Sequence, residues 1–384
     1  MDISEDELAP LDKCDVVFKS PGVSLYRPEV QKLIRRGIPV LSGTNLFMEM
    51  RDPHQKLIAI TGTKGKSTTS SLLAHTLKTL GVNVGLGGNI GIPLVELLNK
   101  HYDVVVAELS SYQCADFHGT PDIAVLLNLY PEHLQWHGTH ACYYADKINM
   151  VRQAKASVYN FLDEKTKMFI GTQNPVYFNS KSDIHITNGF FMDGRQKLFP
   201  ISSLNLIGEH NALNGCAVLT VIKLLGYDLK QAESAFRTFQ SLPHRLENIW
   251  QVNGITYVDD SISTTPETAV AGLKSFDENR RITLIAGGLD RGQDFTCLID
   301  YLAENKGRIF LITMPDTGDA LYQLARGKGI GAFQAFTMEQ AVTKAKSVTP
   351  AGGLVLLSPA APSYNMYKNF EARGDDFKKW VLKS

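Results

Sequence analysis

The chain reads as an α/β protein built on parallel sheets. Stretches such as 57–60, 103–108, 123–128, 281–286 and 353–357 are runs of Val, Ile, Leu and Ala with no polar alternation. That is the pattern of strands covered on both faces. Helical stretches with apolar residues at 3.6 spacing lie between them, which makes the sheets parallel. A glycine-rich turn separates one of these strands from the helix after it. The 384 residues are more than one core usually organises, so two or three domains are expected.

Composition narrows the class. Lys plus Arg number 39 and Asp plus Glu number 39, so no net field steers the chain onto nucleic acid or an anionic membrane. Positive charge, where needed, must be local. No apolar run approaches the ~18 residues of a membrane span. The opening MDISEDELAP is acidic and lacks the apolar core of a secretory signal. Cys14, Cys114, Cys142, Cys216 and Cys297 are widely spaced, with no CxxC pair. A reduced, cytoplasmic, monomeric protein is expected.

Taken in order, residues 14–18 predict a strand ended by Ser20-Pro21-Gly22, residues 28–36 a helix, and residues 38–41 a second strand. Strand 57–60 is followed by a helix with Leu72, Leu73, Thr76, Leu77 and Leu80 on one face. Strands follow at 103–108 and 123–128, and residues 205–226 predict a long helix closed by Gly226. Leu242-Pro243-His244-Arg245 marks a boundary. Beyond it, strands at 255–258, 281–286, 308–312 and 353–357 alternate with helices as a second α/β domain of Rossmann-like type. The expected division is 1–51, 52–241 and 242–384.

The sharpest chemical signal is Gly62-Thr63-Lys64-Gly65-Lys66-Ser67-Thr68, between the buried strand and the amphipathic helix. In that context glycines bring backbone N–H groups to phosphate oxygens, and the helix start adds partial positive charge. Lys66 reaches the β/γ-phosphates and the Ser67 hydroxyl suits Mg²⁺. Ile60 stands where the longest form of this motif has glycine. Glu108 ends strand 103–108, where ligands collect in an open parallel sheet. On pattern alone the lesser alternative is a solvated strand-end acid. His133 follows strand 123–128 and is a ligand candidate. His137 and His140 sit in a polar stretch that reads as surface.

At this point the motifs coincide with a family. ITGTKGKST (60–68), GGNIG (87–91), ELSSYQ (108–113), LNLYPEH (127–133) and EHNALN (209–214) resemble the Mur ligases. LPHRLE (242–247), AGGLDRGQDF (286–295) and LLSPAAPSYNMYKNFEARG (356–374) narrow the likeness to the glutamate-adding member. The resemblance implies a three-domain architecture: an N-terminal Rossmann-like domain, here partial, a central P-loop ATPase domain and a C-terminal Rossmann-like domain. It implies ATP-dependent joining of glutamate to UDP-N-acetylmuramoyl-L-alanine through an acyl phosphate, with two Mg²⁺ ions.

Carried over position by position, the resemblance gives Lys66, Ser67 and Thr68 to the ATP phosphates and metal, and Glu108 and His133 to the metal. Lys147 matches a lysine carbamylated in the family, whose carbamate would hold the second ion. On pattern alone Lys147 is a helix-surface lysine. Asn211 and Asn214 fall where the family holds the adenine end of ATP, and Arg245 and Asp260 match further ATP contacts. Asn89 and Ser110 match contacts to the muramoyl substrate; Thr264, Arg291, Ser363 and Phe370 match the glutamate pocket.

Two departures stand out. Asp260-Ser261-Ile262-Ser263-Thr264-Thr265 has Ile262 where the family pattern has lysine, and Arg291 replaces a second lysine. Arg would still pair with a carboxylate, with altered geometry. D-glutamate is the expected substrate and L-glutamate its alternative. At the front, only the tail of the UDP-gripping unit falls within 1–51, so at least one βαβ unit of ~30 residues is expected to be absent. The competing readings are another Mur or folylpolyglutamate-type amino-acid ligase and a P-loop kinase or ATPase.

Overall fold

The computed structural model describes residues 11–130, 134–168, 175–206 and 208–383. In it the apolar runs become the inner strands of two sheets. The chain divides into two compact units, 1–205 with 210–239, and 206–209 with 240–384. Among the described residues no helix is long and apolar enough to cross a membrane.

The first unit opens with a short parallel pair, β1 (Val17–Phe18) and β2 (Val40–Leu41), flanking the helix Pro28–Arg35. This is the βαβ alternation expected at the front. The segment is fastened to the larger body by a buried Lys19–Asp116 ion pair at 3.0 Å, and Asn45 Nδ2 donates to the Asp116 carbonyl at 2.8 Å.

The main sheet of this unit has nine strands. They are β3 (Lys56–Thr61), β4 (Val84–Gly88), β5 (Val104–Glu108), β6 (Ile123–Leu126), β7 (Ala156–Asn160), β8 (Pro175–Phe178), β9 (Ile184–Thr187), β10 (Phe190–Asp193) and β11 (Gln196–Pro200). Their order is β11-β10-β9-β8-β7-β6-β3-β5-β4. β3 lies between β5 and β6 with parallel neighbours on both sides, which is why its apolar run is continuous. Only β9, β10 and β11 pair antiparallel. This short-stranded extension carries no long apolar run and was not foreseen from sequence.

The helix Lys66–Thr79 buries Leu72, Leu73 and Leu77 although ten of its 14 residues are polar. Three of its buried hydroxyls bond backbone one turn earlier: Thr69 donates to the Gly65 carbonyl, Ser70 to Lys66 and Thr76 to Leu72. The long helix spans Glu209–Leu224, inside the expected 205–226.

The second unit carries a six-stranded sheet of β12 (Glu247–Val252), β13 (Ile255–Asp259), β14 (Ile282–Gly287), β15 (Ile309–Met314), β16 (Ala332–Gln334) and β17 (Leu354–Leu357). The order is β12-β13-β17-β14-β15-β16, parallel except for β12 against β13. Alternate residues of each strand feed opposite faces. Val258 and Leu284 join Leu273, Leu298 and Leu321 in one core, while Tyr257 and Ile285 join Val342, Phe377 and Val381 in the other.

One close approach fixes the last helix, Phe370–Leu382, on this sheet. A Cβ on Gly374 would overlap both His244 Nδ1 and Asp259 Oδ2, which are themselves bonded at 2.6 Å. Gly374→Ala is therefore expected to cost about 1–3 kcal/mol by overpacking. Denaturant unfolding checks this, and an unchanged midpoint would contradict the packing.

Candidate active site

The glycine-rich turn leaves β3 at its carboxyl end and enters the helix Lys66–Thr79 through Gly65, whose φ of 84° is left-handed. A side chain there would meet a second obstacle, because a Cβ on Gly65 would sit 2.7 Å from Asn214 Oδ1. Gly62 is similarly crowded, with Leu127 Cβ 2.9 Å from a built Cβ. Asn128 clamps the turn from the next strand end. Its Oδ1 accepts from the Lys64 amide at 2.8 Å, and its Nδ2 donates to the Lys64 carbonyl at 3.0 Å.

Two lysines converge on one carbonyl. Lys66 Nζ donates to the Gly62 oxygen at 3.0 Å, and Lys147 Nζ donates to the same oxygen at 2.9 Å. Lys66 also reaches the Thr63 carbonyl at 3.1 Å. Lys147 is 2% exposed, which corrects the surface reading. The helix His140–Arg152 turns it inward, and Tyr143, one turn earlier, presents its ring 5.2 Å from the ammonium. The Tyr143 hydroxyl meets Thr63 Oγ1 at 2.8 Å, and the Tyr130 amide donates to that same oxygen at 2.8 Å.

Glu108 is 0% exposed, so it is not a solvated strand-end acid. Register places it beside Ile60 of β3. Its carboxylate accepts from Asn89 Nδ2 at 2.8 Å and from Ser70 Oγ at 3.4 Å. Ser70 stands one turn beyond Ser67 on the same helix face, which puts Glu108 under the first turn that carries Ser67. Among the described residues Glu108 has hydroxyl and amide partners and no ion pair. A buried carboxylate in that state, next to a serine hydroxyl, offers the hard oxygen donors a divalent cation such as Mg²⁺ takes. Asn89 is thus engaged by Glu108. Ser110 caps the short helix Ser111–Ala115, with its Oγ accepting from the Gln113 amide. His133 lies outside the described residues. Asn211 and Asn214 are buried and adjacent, with Asn214 Nδ2 donating to Asn211 Oδ1 at 3.3 Å. Asn214 thus presses on the phosphate turn at Gly65, a position that spacing alone did not indicate.

In the second unit the expected glutamate-pocket residues follow the carboxyl ends of three adjacent strands. Thr264 lies beyond β13, Arg291 beyond β14 and Ser363 beyond β17, where α/β sheets bind ligands. Arg291 is exposed and stands 5.5 Å over the ring of Tyr364. Phe370 begins the last helix, 6.2 Å from the His244 ring. Ile262 is half-buried, and its amide donates to the His244 carbonyl. Arg245 is also half-buried.

The residue that sequence reasoning missed here is Arg373, 3% exposed. Its Nε donates to Ser261 Oγ at 3.0 Å, one terminal nitrogen to the Ser261 carbonyl at 2.8 Å, and the other to the Ala361 carbonyl at 2.9 Å. Ser261 Oγ in turn donates to the Phe370 carbonyl. One guanidinium thus ties together the loops that carry Thr264, Ser363 and Phe370. The only sequence signal was its place inside the FEARG motif.

Asp260, expected to contact ATP, is 3% exposed. Its carboxylate accepts from Ser263 Oγ at 2.6 Å, Ser358 Oγ at 2.8 Å and the Leu246 amide at 3.3 Å. Nearby, His244, Glu247 and Asp259 come close enough to suggest a metal cluster. Protein groups hold them already: His244 bonds Asp259 at 2.6 Å, and Lys378 pairs with Glu247 at 2.8 Å.

A glycine-rich turn with two lysines at the carboxyl end of β3 in one α/β unit, and a second parallel sheet in the other, are the parts of a nucleotide-dependent enzyme. Comparison with known proteins agrees. The Mur ligase middle domain matches residues 60–222, and the Mur ligase, glutamate ligase domain matches residues 244–361. A Salinispora tropica protein, UDP-N-acetylmuramoyl-L-alanine--L-glutamate ligase, is 40% identical over 97% of this chain and 84% of its own length. A Xanthomonas campestris protein of the same name is 38% identical over 94% of this chain and 81% of its own length. The crystal structure of MurF ligase from Thermotoga maritima in complex with ADP shares the fold, with TM-score 0.65 at 18% identity over 96% of this chain and 94% of that one. The chain belongs to the Mur ligase family.

Burial pushes the Asp260 carboxyl up from 3.8 to about 6, against its hydrogen bonds from Ser263, Ser358 and the Leu246 amide. The folded state therefore holds this proton more tightly than the unfolded chain. The resulting stability is fully present below about pH 4 and is lost as pH rises toward 6. Asp260→Asn is expected to remove about 2–3 kcal/mol of that decline. Urea unfolding of both proteins at pH 4, 5, 6 and 7 checks it; parallel curves would contradict it.

Proposed function

We propose that this chain joins L-glutamate to UDP-N-acetylmuramoyl-L-alanine at the expense of ATP. The observation that carries the reading is the convergence of Lys66 and Lys147 on the Gly62 carbonyl beside the buried Glu108. Lys66 brings a positive charge to this turn for a polyanion, and Lys147 brings to the same turn the nitrogen that would carry a carbamate. The names of the relatives supply the substrates. They carry the L hand, which we take in place of the D hand expected from the family pattern.

The chemistry fits these parts. A carboxylate resists attack by an amine, so the alanyl carboxylate oxygen first takes the γ-phosphoryl of ATP and ADP leaves. The glutamate nitrogen then attacks the acyl carbon, loses its proton, and phosphate departs as the C–O bond breaks. Loop amides 62–68 and Lys66 cradle the phosphates and meet charge that develops as the phosphoryl transfers. Ser67 and Glu108 would hold one Mg²⁺, and His133 with a carbamate on Lys147 a second; bound there, Mg²⁺ neutralises phosphate charge. In the second unit Arg245 serves ATP, while Thr264, Arg291, Ser363 and Phe370 surround glutamate, with Arg291 on its side-chain carboxylate. Residues 1–51, 52–241 and 242–384 act as substrate-side, ATP-binding and glutamate-binding segments of a cytoplasmic monomer.

The decisive assay follows ADP release with UDP-N-acetylmuramoyl-L-alanine and either enantiomer of glutamate. Turnover with L-glutamate and none with D-glutamate is expected, and release indifferent to glutamate would overturn the ligase reading. Arg291→Ala should raise the glutamate KM roughly tenfold or more while leaving the ATP KM unchanged. An unchanged glutamate KM would remove Arg291 from the pocket.

A further inference from the structure

A buried hydrogen-bonded chain beside the phosphate loop has no part in the roles above. His137, read from sequence as a surface residue, has a side chain that is 0% exposed. Its Nδ1 meets Asp146 Oδ2 at 2.6 Å, and its Nε2 meets Ser111 Oγ at 2.9 Å. The other Asp146 oxygen accepts from the Tyr26 hydroxyl at 2.7 Å. A carboxylate only accepts, so Nδ1–H points at Asp146, and the second bond joins Nε2 and the Ser111 hydroxyl. Both ring nitrogens are spent on protein partners, which orients the ring in place of exposing it to chemistry.

The neighbours of this chain are the parts the reaction needs. Ser111 follows Ser110 and lies three residues past Glu108, and Asp146 immediately precedes Lys147. The His137 ring packs edge-on against Tyr143, with centroids 5.2 Å apart at 84°. Tyr143 holds Thr63 through its hydroxyl and lies 5.2 Å from the Lys147 ammonium. Trp136, beside His137, donates to the Pro21 carbonyl at 3.2 Å, so the front segment that supplies Tyr26 is held at a second point.

We propose that His137 is a positioning residue for the phosphate loop. Gripped by Asp146, by Ser111 and, through Asp146, by Tyr26, it sets the register of the helix His140–Arg152. In that register Tyr143 meets Thr63 and Lys147 meets Gly62. Without the imidazole, Asp146 and Ser111 lose buried partners and Tyr143 loses the wall behind its ring. The loop then keeps its sequence and loses its geometry, and misplacement by ~1 Å is enough to cost two orders of magnitude in rate.

Only the turnover measurement rests on the ligase reading; nucleotide binding does not. The experiment compares the full chain with His137→Ala, Asp146→Asn, Tyr143→Phe and the His137→Ala/Tyr143→Phe double variant. It measures kcat, the KM for glutamate and the affinity for a fluorescent ATP analogue, each per folded protein. The expected result is a kcat lower by roughly 10–100-fold in His137→Ala and Asp146→Asn, with weaker analogue binding and an unchanged glutamate KM. The double variant should be no worse than about twofold below the weaker single variant, because both act through one contact. Multiplying losses, or a lowered melting temperature with normal kcat and normal analogue affinity, would overturn the proposal. If His137→Ala does not fold, the shape-conserving Asp146→Asn decides by the same two readouts. If the unaltered chain binds nucleotide but does not join glutamate, the ligase reading fails while analogue affinity still tests His137.

Discussion

Two lysine ammonium groups share the carbonyl oxygen of Gly62, and much of the first unit exists to bring them there. Lys66 arrives locally, one helical turn after the carbonyl it bonds. Lys147 arrives from a helix that follows three further strands, β4, β5 and β6. Their mutual repulsion favours separation unless dipoles or anions lie between them. The fold holds them by burying the turn against Leu127 and Asn214, by clamping it with Asn128, and by starting the next helix through a left-handed glycine. The fold thus brings two lysine nitrogens, one local and one distant in sequence, to a single turn at the end of β3.

The second unit solves a related problem with one side chain. Thr264, Arg291 and Ser363 sit on loops after β13, β14 and β17, which are separate in sequence and adjacent in the sheet. Loops have little intrinsic order. Arg373 gives them a common anchor, with its donors ending on Ser261 and Ala361. Burial lowers this guanidinium to about 10, still far above any working pH, so the anchor stays charged. The close approaches at Gly288 and Gly374 are the steric counterpart, since side chains there would push the same loops apart.

The missed features share a cause. The short strands β8 to β11 mix polar and apolar residues and are held by their neighbours rather than by their own pattern. Pattern alone reads His137 and Lys147 as surface residues and allows a solvated Glu108, because polar residues near helix and strand ends are usually exposed. Each is buried by a partner distant in sequence: Asp146 and Ser111 for His137, the Gly62 carbonyl for Lys147, Asn89 and Ser70 for Glu108. Asp260 is a further case: at a motif position expected to contact ligand, its carboxylate accepts from Ser263 and Ser358.

By itself the sequence determined the parallel α/β class, the strand cores at β3, β5, β6, β13, β14 and β17, and the phosphate turn. These depend on residues adjacent in the chain: apolar runs, glycine spacing and a lysine next to a serine. Tertiary structure alone decided which polar side chains went inside and what each would hold. Burial and pairing are set by groups tens of residues away, and no local pattern encodes the distance between Lys147 and Gly62 or the four-residue chain around His137. The turn could be read because its geometry is written in consecutive residues; its support could not, because that support is assembled from four separate segments.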